Sequence, residues 1–312
     1  MARAFVFPGQ GAQAIGMGKA LAEAYPAAKA VFDEVDDALG EDLSGLIWQG
    51  DIADLTLTAN AQPALMAMSI ASLRALQVEG VAPDAAAYMA GHSLGEYSAL
   101  CAAGALDLAD TARLLRVRGQ AMQEAVPVGV GAMAALLGLD FQTASEVAAE
   151  AAEGDVCAAA NDNDPGQVVV SGHKAAVERA VEIAKARGAK RAVLLPVSAP
   201  FHCALMAPAA DVMATALADV TIKAPLVPVV ANIKAEAVTD PEEIRSLLIR
   251  QVTGSVRWRE SMGWIGQQGV TEFYEIGAGK ALSGMIRRIN REAVCQAIGT
   301  PEDVAKAASA IN

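Results

Sequence analysis

The sequence predicts an α/β protein, because strand-like apolar runs alternate with helix-period segments along its 312 residues. Two further observations sharpen that class. The pentapeptide Gly91-His92-Ser93-Leu94-Gly95 fits G-x-S-x-G, a tight strand-to-helix turn that exposes a serine hydroxyl. The stretch 128–196 reads strand–helix–strand–strand–helix–strand, the order of a split βαβ, ferredoxin-like unit. The expected organisation is a large α/β catalytic subdomain of residues 1–127 and 197–312, with an inserted small ferredoxin-like subdomain of residues 128–196.

Each element follows from local pattern. Phe5-Val6-Phe7 is a first strand, ended by Pro8-Gly9. Residues 18–39 and 63–79 are expected helices. Residues 85–90 are a short buried strand that feeds the serine turn, and 96–103 a helix packed on an apolar face. A helix over 108–125 follows. In the small subdomain, strands are expected at 132–137, 156–160, 167–171 and 192–195, with helices at 142–153 and 174–187. Asn161-Asp162-Asn163-Asp164-Pro165-Gly166 has turn composition. Further on, 227–231 and 272–276 are expected strands, and Gly277-Ala278-Gly279 turns into a helix.

Composition narrows the function classes. Hydrophobic residues make up 54% of the chain, enough for a sizeable core. No apolar run reaches membrane-spanning length. The N-terminal run from Met1 to Phe7 is strand-like and lacks the apolar core and cleavage site of a signal peptide. Cys101, Cys157, Cys203 and Cys295 are scattered without a C-x-x-C pair. That pattern suits the cytoplasm and argues against a disulfide framework or a metal site. The net charge of −12, concentrated in the first third of the chain, disfavours nucleic acid as a partner. Two clusters run the other way. Arg179, Lys185, Arg187, Lys190 and Arg191 have only Glu178 and Glu182 beside them in sequence, and Lys280, Arg287, Arg288 and Arg291 have no acid between them. Each is either a docking patch for an acidic partner or a solvated helix face.

Ser93 in such a turn is a candidate nucleophile for acyl transfer, and it needs a base. There are three histidines. His92 precedes the serine and points elsewhere. His173 begins a helix inside the small subdomain. His202 lies in Pro200-Phe201-His202, on a proline-constrained loop where the chain returns to the large subdomain, a place that faces a cleft between the two. No aspartate between Ser93 and His202 has the setting of a triad acid, but a backbone carbonyl suffices to orient an imidazole. On the 108–125 helix, Arg113, Arg116, Gln120 and Gln123 share a polar face. Arg118 instead shares the apolar face with Leu114 and Met122. A buried arginine needs an anionic partner, either a protein carboxylate, the first candidate, or a substrate carboxylate, unless it snorkels out from the edge of the face. Gly9-x-Gly11-x-x-Ala14 matches a relaxed dinucleotide fingerprint, but 27–39 reads as a helix where a second strand is required. The loop instead offers the backbone N–H of Gln10 to join that of Leu94 in an oxyanion hole.

The stretches Phe7-Pro8-Gly9-Gln10-Gly11, Gly91-His92-Ser93-Leu94-Gly95-Glu96-Tyr97-Ser98 and Arg118-Gly119 carry a full-length resemblance. So do Asn163-Asp164-Pro165-Gly166-Gln167-Val168-Val169, Pro200-Phe201-His202 and Gln251. Together they resemble the bacterial malonyl-CoA:acyl carrier protein transacylase family. The resemblance implies an α/β-hydrolase-like large subdomain, with Ser93 as nucleophile and His202 as base. It assigns the oxyanion hole to Gln10 and Leu94 and the malonyl carboxylate to Arg118. It also implies that a backbone carbonyl near Gln251 orients the histidine, that Met122 lines the acyl pocket, and that Asn161 and Asn163 contact substrate. In related acyltransferase domains a Phe before the base histidine accompanies malonyl, so Phe201 points to malonyl. The implied reaction is a ping-pong transfer from malonyl-CoA to acyl carrier protein. It uses no resident cofactor or metal: coenzyme A arrives as a thioester substrate and phosphopantetheine on the partner. The rival readings are a serine hydrolase or thioesterase using the same nucleophile, and a non-catalytic module that binds carrier protein.

Overall fold

Among the described residues, ten strands form two sheets. The structure, a computed structural model, describes residues 2–197 and 199–312; Met1 of the N-terminal run and Ser198 of the loop before His202 lie outside the described residues. The chain begins β1 (Ala2–Phe7), α1 (Lys19–Ala24), α2 (Pro26–Leu39), α3 (Leu43–Gln49), α4 (Ile52–Thr56), α5 (Thr58–Val78), β2 (Tyr88–Gly91), α6 (Leu94–Ala102) and α7 (Leu108–Glu124). It continues β3 (Gly131–Leu137), α8 (Phe141–Ala152), β4 (Cys157–Asp164), β5 (Gln167–His173), α9 (Lys174–Ala186) and β6 (Arg191–Leu194). The remainder is α10 (Ala207–Ala218), β7 (Val229–Val230), β8 (Ala237–Val238), α11 (Pro241–Gln251), α12 (Trp258–Gln267), β9 (Val270–Ile276), α13 (Ala281–Ile289), β10 (Val294–Ile298) and α14 (Pro301–Ile311).

The larger sheet has the order β10-β9-β1-β2-β7-β8, parallel except for β8. Both faces are covered, so its strands are apolar on both sides. Phe5 and Phe7 enter one core, and Ala4 and Val6 the other. The second sheet is antiparallel, with the order β4-β5-β3-β6. Its period of two separates its faces. Ala134, Leu136, Val168 and Val170 pack with residues of α8 and α9. Met133, Ala135 and Val169 face a cavity on the other side.

Several expected elements change. The helix over 18–39 breaks at Tyr25, where Pro26 starts α2 at a position that needs no N–H. Helix α5 starts before Pro63 and runs through it. Pro63 cannot donate to the carbonyl four residues back, on Ala59, and Arg116 Nη1 takes that oxygen instead. Arg116, expected on the polar face, is accordingly buried, and it also binds Asn60 and Glu41. The expected turn over 161–166 is largely strand: β4 continues to Asp164. Two constraints override its turn composition. Asp162 N–H donates to the Val256 carbonyl at 2.9 Å, and Val256 N–H donates to Ala160 at 2.8 Å. The buried carboxylates of Asp162 and Asp164 pair with Arg259 on α12 and Arg288 on α13. The strand expected over 227–231 shrinks to two residues after Pro228.

The serine turn depends on two close approaches. A Cβ on Gly91 would fall on the Gly95 carbonyl, and one on Gly95 on the Phe7 carbonyl at the end of β1. Gly95→Ala must therefore push α6 away from β1. The expected cost is about 1–3 kcal/mol, read as a lower urea midpoint at unchanged slope. A midpoint equal to that of the parent chain would show that the contact is not tight.

Candidate active site

The β1–β2 register pairs Phe7 with Gly91, so the loop Pro8-Gly9-Gln10 and the serine turn leave the sheet side by side. Both sit at the carboxyl ends of parallel strands, where open α/β sheets place ligands. Ser93 has φ 55° and ψ −111°, a strained conformation for a residue with a Cβ. Its backbone is held on both sides. Ser93 N–H donates to Asn232 Oδ1 at 2.8 Å, and Gln251 Nε2 donates to the Ser93 carbonyl at 3.0 Å.

Ser93 Oγ lies 2.8 Å from His202 Nε2, and His202 Nδ1 lies 2.9 Å from the carbonyl oxygen of Gln251. A carbonyl can only accept, so Nδ1 carries the proton and Nε2 is free to accept from the serine hydroxyl. His202 is 4% exposed and also has positive φ. Burial, and after it the Arg118 charge, push its pKa down to about 3, so the imidazole is neutral and available as a proton acceptor at neutral pH.

Arg118 is 1% exposed. Its Nη1 donates to Gln62 Oε1 at 2.7 Å, and its Nη2 donates to Gln251 Oε1 at 2.9 Å and to Ser93 Oγ at 3.2 Å. The guanidinium stands 5.6 Å from the centroid of the Tyr97 ring, and Nε has no hydrogen-bond partner. The expectation that a protein carboxylate pairs with it is not met among the described residues: its hydrogen-bond partners are uncharged. The interior thus holds a cation beside the serine hydroxyl, with one donor unused.

A cavity of about 440 Å³ opens over these groups. Gln10, Leu94, Met122, Asn161, Asn163 and Phe201 all line it, together with Ser93, Arg118 and His202. Gln251 lies behind this wall. The backbone N–H groups of Gln10 and Leu94 have no protein acceptor among the described residues; Leu94 opens α6, where the first N–H groups are unpaired by construction. The Gln10 side chain is turned to Thr58. His92 Nε2 is 2.8 Å from Asn163 Oδ1, so the two sheets touch beside the serine. His173 is remote, accepting from Val156 N–H on Nδ1. Such an arrangement can activate a hydroxyl, receive an oxyanion and hold an anionic group.

Sequence reasoning missed three side chains of the site. Gln62 on α5 and Asn232 after β7 are buried and polar. Glu96 is 3% exposed on α6, where its Oε2 accepts from Asn232 N–H at 2.9 Å and Gln251 Nε2 at 2.7 Å. A lone acid in an apolar helix, and an asparagine directly after a buried parallel strand, were the available signals.

Among the described residues no cluster of His, Cys, Asp and Glu could hold a metal ion, no helix is long and apolar enough to cross a membrane, and the four cysteines are free. The expected basic clusters are partly neutralised. Arg179 meets Glu153 and Asp155, and Arg187 meets Glu146 and Glu150, acids distant in sequence. Lys185 pairs with Glu182, and Arg288 with Asp164.

Residues 4–299 match the acyl transferase domain family. The chain is 50% identical over 304 residues to the malonyl CoA-acyl carrier protein transacylase of Escherichia coli K12, covering 97% of this chain and 98% of that one. It is 49% identical over 302 residues to the enzyme of the same name from Bacillus subtilis 168, covering 96% and 94%. An acyl-carrier-protein-S-malonyltransferase structure from Bartonella henselae superposes with a TM-score of 0.97 at 56% identity, covering 100% of this chain and 99% of the other. A malonyl-transacylase solved in complex with its type II polyketide acyl carrier protein superposes with a TM-score of 0.96 at 44% identity, covering 99% and 100%.

The His202 environment has a measurable consequence. In the unfolded chain the imidazole protonates near pH 6.5, and in the folded chain only near pH 3. Stability is therefore unaffected by this group above pH 6.5. It falls as the pH drops through that window, by up to about 1.4 kcal/mol per pH unit. An NMR titration should find the His202 ring neutral from pH 8 down to pH 5; a midpoint near 6.5 would contradict the buried, neutral base.

Proposed function

The chain belongs to the acyl transferase domain family, and from that membership we propose that it carries a malonyl group from coenzyme A to acyl carrier protein through an ester on Ser93, feeding fatty acid synthesis. The observation that carries this reading is Arg118: a buried guanidinium with uncharged partners and a free Nε, 3.2 Å from the nucleophile. It fits a carboxylate tethered two atoms beyond the carbonyl under attack.

In the first half-reaction His202 Nε2 takes the Ser93 proton as Oγ attacks the thioester carbonyl. The oxyanion lies between the N–H groups of Gln10 and Leu94. The coenzyme A sulfur leaves with the proton from His202, and malonyl-Ser93 remains. In the second half-reaction His202 deprotonates the phosphopantetheine thiol of the carrier protein, which attacks the ester, and the proton returns to Ser93 Oγ. The Gln251 carbonyl keeps the imidazole in the required tautomer, the part a carboxylate plays in serine-protease triads. Met122 and Phe201 bound the acyl pocket, and Asn163, held by His92, contributes to its wall. The hole and the base belong to the protein, and coenzyme A enters only as substrate.

The same reading describes the larger sheet as α/β-hydrolase-like and residues 128–196 as a ferredoxin-like insert, supported by the β4-β5-β3-β6 order. It places the protein in the cytoplasm, in keeping with four free cysteines. For carrier-protein docking it favours the exposed Lys280, Arg287 and Arg291 around α13, whose Ala281, Leu282 and Met285 line the cavity.

Three outcomes test this function. Ser93→Ala should lower transfer by roughly 10⁴–10⁶-fold and abolish the covalent adduct seen by intact mass after mixing with malonyl-CoA. Steady release of free malonate by the parent chain, without a dischargeable adduct, would instead mark a hydrolase. Arg118→Ala should cut the preference for malonyl over acetyl donors by about 10- to 100-fold, the worth of hydrogen bonds to a charged group; an unchanged preference would remove Arg118 from substrate recognition. Reversing Lys280 and Arg291 to Glu should slow discharge to carrier protein while acylation by malonyl-CoA proceeds at the parent rate. Equal loss in both half-reactions, or in neither, would rule out α13 as the docking surface.

A further inference from the structure

Glu96 is a buried acid that the reaction above does not use. It lies one helical turn after Ser93, at 3% exposure. Its Oε2 accepts from Asn232 N–H and Gln251 Nε2, and these two residues in turn reach Ser93, His202 and Arg118. Asn232 Oδ1 accepts from Ser93 N–H, while Asn232 Nδ2 donates to the Gly91 carbonyl. Gln251 donates to the Ser93 carbonyl, accepts from His202 Nδ1 through its backbone and accepts from Arg118 through its side chain. One amide side chain therefore separates the buried acid from the buried guanidinium, donating to the first and accepting from the second.

A buried cation and a buried anion at this spacing stabilise each other through a poorly screened interior. Among the described residues, the charged group acting on Glu96 is Arg118 on α7. Tyr97 is on its own helix, and His202 is reached through Gln251. Arg74 of α5 lies at the other end of α6, beside Cys101. When a substrate carboxylate arrives at Arg118, the centre would hold one cation and two anions. We propose that Glu96 is the counter-charge Arg118 gives up to an incoming acyl carboxylate, and that it takes up a proton from solvent as that carboxylate binds. The proposal rests on the reading of Arg118 as the carboxylate receptor. Burial supports it, since it already pushes the Glu96 carboxyl up to about 7 against the lowering by Arg118. Pairing Arg118 elsewhere removes that lowering and raises the group further.

The test is calorimetric binding to the Ser93→Ala protein, which cannot turn over, in buffers of different ionisation enthalpy between pH 6 and 8. Malonyl-CoA should bind more tightly than acetyl-CoA and take up about half a proton per site near pH 7, while acetyl-CoA takes up none. Adding Glu96→Gln should keep the malonyl preference and abolish the uptake. Three results would overturn the proposal. A malonyl preference without uptake overturns it while the Arg118 reading stands. Uptake that survives Glu96→Gln assigns the proton to another group. Equal binding of the two thioesters removes the Arg118 reading, and the proposal with it.

Discussion

The site is organised around a positive charge that the fold buries without a protein anion in contact. Water would solvate Arg118 far better than Gln62, Gln251 and Ser93 do, so the folded chain is less stable for carrying it. That cost is offset across the surrounding core. The same charge helps to hold His202 neutral, so that the guanidinium and the state of the neighbouring imidazole are linked. Gln251 makes the combination possible. Its main-chain carbonyl serves the base and its side chain serves the guanidinium, so moving it would disturb both.

The Ser93, His202 and Arg118 cluster was the most legible part of the sequence. G-x-S-x-G is readable because the turn imposes glycines at fixed offsets, and Gly91 and Gly95 meet backbone where a Cβ would stand. The scarcity of histidines leads to His202. Arg118 is readable because a helix period exposes a charge on the wrong face. The strands β1 and β2 and the βαββαβ order were legible from apolar runs and turn residues, though their ends shifted by a few residues.

What stayed hidden is set by contacts between distant segments. Glu96, Asn232 and Gln62 are ordinary polar residues until α11, β7 and α5 converge on α6. The 161–166 stretch has the composition of a turn and becomes strand because Val256 continues its ladder and two arginines from α12 and α13 fix its aspartates. The basic stretch after Arg179 looks unpaired in one dimension and meets acids of α8 and the segment after it in three. Short elements without their own period, such as α3, α4 and β8, left no trace to read.

Strand β4 presents alternate residues to opposite sides. Asn161 and Asn163 form part of the cavity wall, while Asp162 and Asp164 anchor it to arginines outside. The wall and its anchor are thus adjacent links of one chain, and neither can slide without the other. Because Ala159 and Ala160 of the same strand sit in the two cores and Asn163 meets His92, the wall is also tied to the packing around the serine turn.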